Sequence, residues 1–121
     1  MKTLTLLCLI VLTVAQMPQE LIDKYSVVYQ HKGADGPYPT VGQKAEVHYT
    51  GTLLNGNKFD SSRDRSSPFA FSVGKHQVIT CWDEVVAHLA VGDKVDVICP
   101  SETAYGSRGV GPIPADSDLK F

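Results

Sequence analysis

Val78-Ile79-Thr80-Cys81-Trp82-Asp83-Glu84 holds the only tryptophan of the 121-residue chain, and the residue period changes on either side of it. Upstream, Ser67-Pro68-Phe69-Ala70-Phe71-Ser72-Val73-Gly74 alternates as a strand does, with Phe69 and Phe71 on one face. Downstream, Trp82, Val85, Val86 and Leu89 fall at i, i+3, i+4 and i+7, the apolar stripe of a short helix. Thr80 with Asp83 three residues on predicts an N-terminal cap, and Asp83 and Glu84 suit the positive end of the helix dipole. Trp82 therefore stands in the first turn of a helix, at a strand-to-helix corner. A large flat ring there either plugs a core or floors a pocket, and its aromatic neighbours decide which.

Working upstream, the run from Lys44 to Leu54 is the clearest strand, with Ala45, Val47 and Tyr49 alternating with Glu46, His48 and Thr50. Asn55-Gly56 then predicts a hairpin turn. After Phe59 the chain enters a polar loop of mixed charge. Tyr25-Ser26-Val27-Val28-Tyr29 has strand composition, and the glycines and prolines of 31–39 mark a loop. Downstream of the helix, Lys94 to Cys99 reads as a strand with Val95, Val97 and Cys99 inward. Residues 107–116 form a Gly- and Pro-rich surface loop, and 117–121 open a last strand. Strands joined by turns with one short helix make an α+β domain, an antiparallel sheet with the helix against one face.

The first residues stand apart. Met1-Lys2 is positive, Leu4 to Val14 is apolar apart from threonines, and Ala15 supplies the small residue of a cleavage site. Residues 1–15 read as a secretory signal peptide, too short for a spanning helix. Residues 16–40 then form an N-terminal strand and loop, and 41–121 the main domain. With 11 basic and 13 acidic residues intermixed, the chain has neither the basic stripe of a nucleic-acid binder nor an acidic tail. Beyond Cys8 in the leader, Cys81 and Cys99 make an even pair bound for an oxidising compartment, with no histidine spaced to complete a zinc site.

No nucleophile elbow, phosphate-binding glycine loop, dinucleotide fingerprint or metal-binding histidine helix is present. His31, His48, His76 and His88 read as surface residues, and Asp60 taken alone as a loop carboxylate. What remains is an aromatic set: Tyr49, Phe59, Phe69, Phe71, Trp82, Tyr105 and Phe121. Several of these rings serve as core in so small a domain, but the phenols of Tyr49 and Tyr105 suit the rim of an apolar pocket.

Val47-His48-Tyr49-Thr50-Gly51, Phe59-Asp60-Ser61-Ser62, Pro68-Phe69-Ala70-Phe71, Gly74 with Val78-Ile79 and Trp82, Val91-Gly92 and Ala104-Tyr105-Gly106 follow one another in the order and spacing of a known family. Over residues 41–121 the chain resembles the FKBP-type peptidyl-prolyl cis-trans isomerases, and its leader is similar to those of secreted or endoplasmic-reticulum members. The resemblance implies a twisted antiparallel sheet wrapped on one helix, with an aromatic pocket between them. It implies a pocket of Tyr49, Phe59, Asp60, Arg65, Phe69, Phe71, Val78, Ile79, Trp82, Tyr105 and Phe121, with Ile113 in the overhanging loop and Trp82 as the floor for a proline ring. It assigns catalytic roles to Tyr49, Asp60, Ile79 and Tyr105: Ile79 N–H and the Tyr105 phenol donate to carbonyls of the peptide, and Asp60 lies near the twisted carbonyl, held by Tyr49 and Arg65. X-Pro polypeptides and rapamycin-type macrolides are the implied partners of a monomer that needs no cofactor or metal, binds no nucleic acid and leaves the membrane once its leader is cut.

The chain also departs from the family pattern. That pattern continues past Phe121 through a final strand, so a C-terminally truncated domain of reduced stability is expected. Cys81 replaces a frequent glycine; in the family fold it and Cys99 approach, leaving either a disulfide or two buried thiols. The loop from Gly106 to Pro114 is about one residue short, with Pro112 near a usually aliphatic site.

Overall fold

A computed structural model describes residues 17–121. The leader read in residues 1–15 lies outside the described residues. After Pro18 comes a short helix, α1 (Gln19–Lys24), then β1 (Val28–His31), β2 (Lys44–Val47), β3 (Thr50–Leu53), β4 (Lys58–Ser61) and β5 (Phe69–Ser72). The second helix, α2 (Thr80–Val86), precedes β6 (Lys94–Asp96) and β7 (Ile98–Cys99). Single 3-10 turns at Ser101–Thr103 and Gly106–Arg108 lead to β8 (Leu119–Lys120). Every ladder is antiparallel: β1 with β6, β2 with β5, and a four-stranded sheet in the order β4-β3-β8-β7. The α+β class read from the sequence is the class observed.

Three local features differ from expectation. α1 occupies a stretch expected to lead into a strand. Its Gln, Glu, Leu and Lys are good helix formers, and Gln19 Nε2 donates to Asp23 Oδ1 one turn on at 2.9 Å. Six residues carry too little period to announce a helix, and Ser26, at φ 48°, turns the chain into β1. The long strand from Lys44 is two strands, because His48 and Tyr49 belong to neither ladder: Val47 pairs with Phe69 of β5, and Thr50 with Ser61 of β4. Thr80 does not cap α2. Ile79 holds the cap position with no side-chain bond, and Asp83 reaches outward to accept from Gly74 N–H at 3.0 Å and His76 N–H at 2.9 Å. Its carboxylate thus ties the approach loop to the first turn, where negative charge is favoured.

The core is small and apolar. Tyr25, Val73, Cys81, Cys99 and Leu119 are essentially inaccessible, and Val27, Val85, Val97 and Ile113 are buried beside them. Trp82, Phe59 and Phe121 pack against this cluster while remaining partly open. Cys81 of α2 and Cys99 of β7 are joined as a disulfide, their Cα atoms 5.7 Å apart, which resolves the choice the sequence left open. Across the core the Tyr25 hydroxyl donates to Glu84 Oε1, pinning the end of α1 to α2. Among the described residues no helix is long and apolar enough to cross a membrane.

Candidate active site

Of the rings singled out in the sequence, Tyr49, Phe69, Phe71 and Phe121 converge on Trp82, Phe59 joins them through Phe121, and Tyr105 makes no ring contact among the described residues. Phe69 stands on β5, Phe59 and Asp60 on β4, Tyr49 at the break between β2 and β3, and Phe121 directly after β8. The Trp82 ring centroid lies 4.8 Å from Tyr49, 5.1 Å from Phe121, 6.0 Å from Phe69 and 6.1 Å from Phe71. Phe59 reaches Phe121 edge-on at 5.8 Å, and Phe69 stacks with Phe71 at 5.9 Å. Most of these contacts are edge-to-face, the arrangement ring quadrupoles favour. Phe71 is buried, but Tyr49, Phe59, Phe69, Trp82 and Phe121 are only half-buried, so together they present a partly open apolar bowl. Trp82 packs against the core cluster and is still only half-buried, so it is not a fully buried core plug.

A polar cluster borders the bowl. The Tyr49 hydroxyl donates to Asp60 Oδ2, Arg65 Nη1 pairs with Asp60 Oδ1, and Arg65 Nη2 lies 3.3 Å from the Tyr49 hydroxyl. The hydrogen bond from Tyr49, helped by Arg65 and the Ser61 N–H, holds the Asp60 carboxyl below the ordinary carboxylate range against the opposing effect of burial. Burial first, and the Asp60 carboxylate second, push the Tyr49 phenol up. At neutral pH the cluster is therefore a neutral phenol, a carboxylate and a guanidinium, a poor proton donor or acceptor but a fixed set of dipoles.

Its pH dependence follows from the sign of the shift. A carboxyl depressed in the folded state adds stability above its unfolded pKa, about 3.9, and loses that contribution as pH falls through the lower folded value. A titration of the Asp60 carboxyl carbon should find its midpoint below about 3.9. In Tyr49→Phe the midpoint should rise, because the largest stabiliser of the charged form is gone. A midpoint unmoved by Tyr49→Phe would assign the depression to Arg65 instead.

The remaining expected residues are less tightly grouped. Ile79 packs against the core at the head of α2, and its N–H has no partner among the described residues. Val78 is half-buried beside it, and Tyr105 is 39% exposed between the two 3-10 turns. Ile113, expected to overhang the pocket, is buried in the core cluster, where a two-way backbone bridge with Val110 holds it.

Gly51 was absent from the expected site yet shapes it. A Cβ there would lie 2.5 Å from Phe59 Cζ and 2.8 Å from Phe121 Cε1, so only a bare Cα lets those rings seat. A glycine inside a strand is the available signal for such a close approach. Gly51→Ala should cost about 1–3 kcal/mol, the usual penalty for overpacking, and should displace the two rings. Thermal unfolding together with the ring resonances of Phe59 and Phe121 checks this; unchanged values would mean that the rings yield freely.

Comparison with known proteins agrees with this architecture. Residues 36–121 match the profile of the FKBP-type peptidyl-prolyl cis-trans isomerases. The chain is 57% identical over 90 residues to the peptidyl-prolyl cis-trans isomerase Fkbp12 of Drosophila melanogaster, covering 74% of this chain and 83% of that one. It is 52% identical over 81 residues to FK506-binding protein 2 of Dictyostelium discoideum, covering 66% of this chain and 61% of that one. The crystal structure of AtFKBP13 superposes with a TM-score of 0.71 at 35% identity, over 78% of this chain and 84% of that one. With the profile spanning the sheet, α2 and all the rings around Trp82, the chain belongs to the FKBP-type peptidyl-prolyl cis-trans isomerases.

Proposed function

We propose that this chain accelerates rotation about X-Pro bonds in secretory polypeptides, with the proline ring seated on Trp82 among Tyr49, Phe59, Phe69 and Phe121, and that FK506- and rapamycin-type macrolides compete for the same bowl. One observation carries the reading: half-exposed rings converge on a single tryptophan beside a polar cluster that is satisfied internally. The chemistry asks for no nucleophile. The rotation barrier, about 18–20 kcal/mol, comes from amide resonance. The twisted transition state loses that resonance and is less dipolar than the planar amide. A dry aromatic surface penalises the planar form more, so its binding acts in the catalytic direction. Lowering the barrier by roughly 6–8 kcal/mol yields four to six decades of rate. Ile79 N–H and the Tyr105 phenol hold the flanking carbonyls of the peptide; that neither has a partner among the described residues supports this role. Asp60, Tyr49 and Arg65 orient charge near the rotating carbonyl without transferring a proton.

The secretory assignment rests on the leader pattern in residues 1–15 and on the Cys81–Cys99 disulfide, a bond characteristic of oxidising compartments. The protein acts as a monomer. The test is isomerisation of a short peptide with an apolar residue before proline, with and without rapamycin. Acceleration abolished by the macrolide is the expected result. No acceleration from folded protein would overturn the catalytic reading in favour of a module that only holds Pro-containing segments. Sequencing of the exported protein should begin at Gln16; a product retained in the cytosol with Met1 intact would overturn the secretory part.

A further inference from the structure

The reading above leaves Ser62 without a role, although its hydroxyl is fully buried beside the polar cluster. Ser62 Oγ accepts the Tyr49 N–H at 2.8 Å, lies 3.3 Å from the Tyr49 carbonyl oxygen and lies 3.0 Å from His48 Nδ1. The Ser62 N–H donates to the same Tyr49 carbonyl at 3.1 Å. These bonds fall where the chain passes from β2 to β3 and no ladder partner is assigned. An N–H that a regular strand would give to a neighbouring carbonyl goes here to a side-chain hydroxyl. The Ser62–His48 pair looks superficially like a nucleophile and its base, but a hydroxyl with no exposed surface and its oxygen committed to a backbone amide attacks nothing.

We propose that Ser62, backed by His48, is a positioning residue for the isomerisation: by gripping both backbone groups of Tyr49 at the β2–β3 break, it sets the phenol hydroxyl against Asp60 and Arg65. The proposal rests on the isomerase reading for its effect on rate, and on the structure alone for its effect on Tyr49. A group that must lie within hydrogen-bond reach of Asp60 while facing Trp82 at 4.8 Å tolerates little displacement. Small misplacements of orienting groups are costly in rate.

The purified protein, Ser62→Ala, Tyr49→Phe and the double variant decide the matter, with kcat and KM read separately and the Cζ resonance of Tyr49 followed in tyrosine-labelled samples. Ser62→Ala should lower kcat about tenfold with KM changed less than about twofold. The Tyr49 resonance should move toward that of a solvated phenol. In the Tyr49→Phe background the same substitution should change kcat by less than about twofold, because the group it positions is gone. An equal loss in both backgrounds, or an unmoved Tyr49 resonance, overturns the proposal. If Ser62→Ala does not fold, His48→Leu, an exposed change that leaves the Ser62 backbone bonds intact, takes its place. It should shift the Tyr49 resonance and lower kcat about two- to threefold only while the phenol is present; no shift overturns the proposal. If the unaltered protein fails to isomerise proline bonds, the functional reading falls, while the Tyr49 resonance still reports whether Ser62 sets the phenol.

Discussion

Trp82→Ala should lower kcat/KM for X-Pro isomerisation by about 30- to 140-fold. The half-buried indole is the ring on which Tyr49, Phe69, Phe71 and Phe121 converge, and removing it as the seat for a proline ring forfeits roughly 2–3 kcal/mol of burial. At about 1.4 kcal/mol per decade that converts to the stated loss. Both constants should move. Part of the contact holds the ground state and appears in KM; the part that favours the less dipolar twisted amide appears in kcat. The substitution also removes a ring that touches Tyr49, Phe69, Phe71 and Phe121, so stability should fall as well. Truncating a fully buried aromatic costs about 3–5 kcal/mol, and for half-buried Trp82 the lower end is expected. The assay therefore belongs well below the variant's melting temperature. Trp82→Phe separates the two effects: it keeps a ring on the floor and should recover most of the stability and part of the rate. A folded Trp82→Ala with undiminished kcat/KM would remove the indole from the mechanism. Because Trp82 is the only tryptophan, its emission in the unaltered protein also reports directly on what enters the bowl.

The sequence showed the rings more clearly than the frame that carries them. Phe69, Phe71 and Trp82 were legible because alternation gives way to a helical period between them, so their elements and facing could be inferred from spacing. Their convergence was not legible from spacing. It depends on the register of β3 with β4 and β8, which brings Gly51 opposite Asp60 and sets Phe59 and Phe121 over its bare Cα. α1 was missed because a six-residue helix shows less than two turns of pattern. The β2–β3 break was missed because alternation continues through His48 and Tyr49 even though their hydrogen bonds change partner. Asp83 was misread for a related reason. An acidic residue in the first turn of a helix suits both a cap and a reach to a neighbouring loop, and only the path of residues 74–77 selects the second. The Cys81–Cys99 pairing stayed open for want of a distance between α2 and β7.

That distance permits the second large effect. Cys81→Ala/Cys99→Ala should lose about 3 kcal/mol of stability, the chain-entropy value for a loop about this long, where the cysteines are 18 residues apart. Against the roughly 5–15 kcal/mol typical of a whole domain, this is a substantial fraction. At about 4–8 °C per kcal/mol in a domain of this size, the melting temperature should drop by about 12–24 °C. The bond lies where it constrains the site. Cys81 directly precedes Trp82, and Cys99 pairs with Leu119 of β8, two residues before Phe121. The disulfide thus staples the helix carrying one ring to the sheet that positions the other, and those rings meet at 5.1 Å. Both sulfurs are shielded from solvent, so a thiol reductant should act on the native protein only as fast as the chain opens. Denatured without reductant, protein lacking residues 1–15 and hence Cys8 should show no free thiol; two would mean that the bond does not form. In the double-alanine variant at low temperature, kcat/KM should stay within about threefold of the unaltered enzyme, because the staple touches no substrate and packing alone can seat Trp82 once the chain is folded. Equal melting temperatures with and without the bond would show that loop closure contributes nothing here, and that the apolar contacts of Cys81 and Cys99 already hold α2 on the sheet.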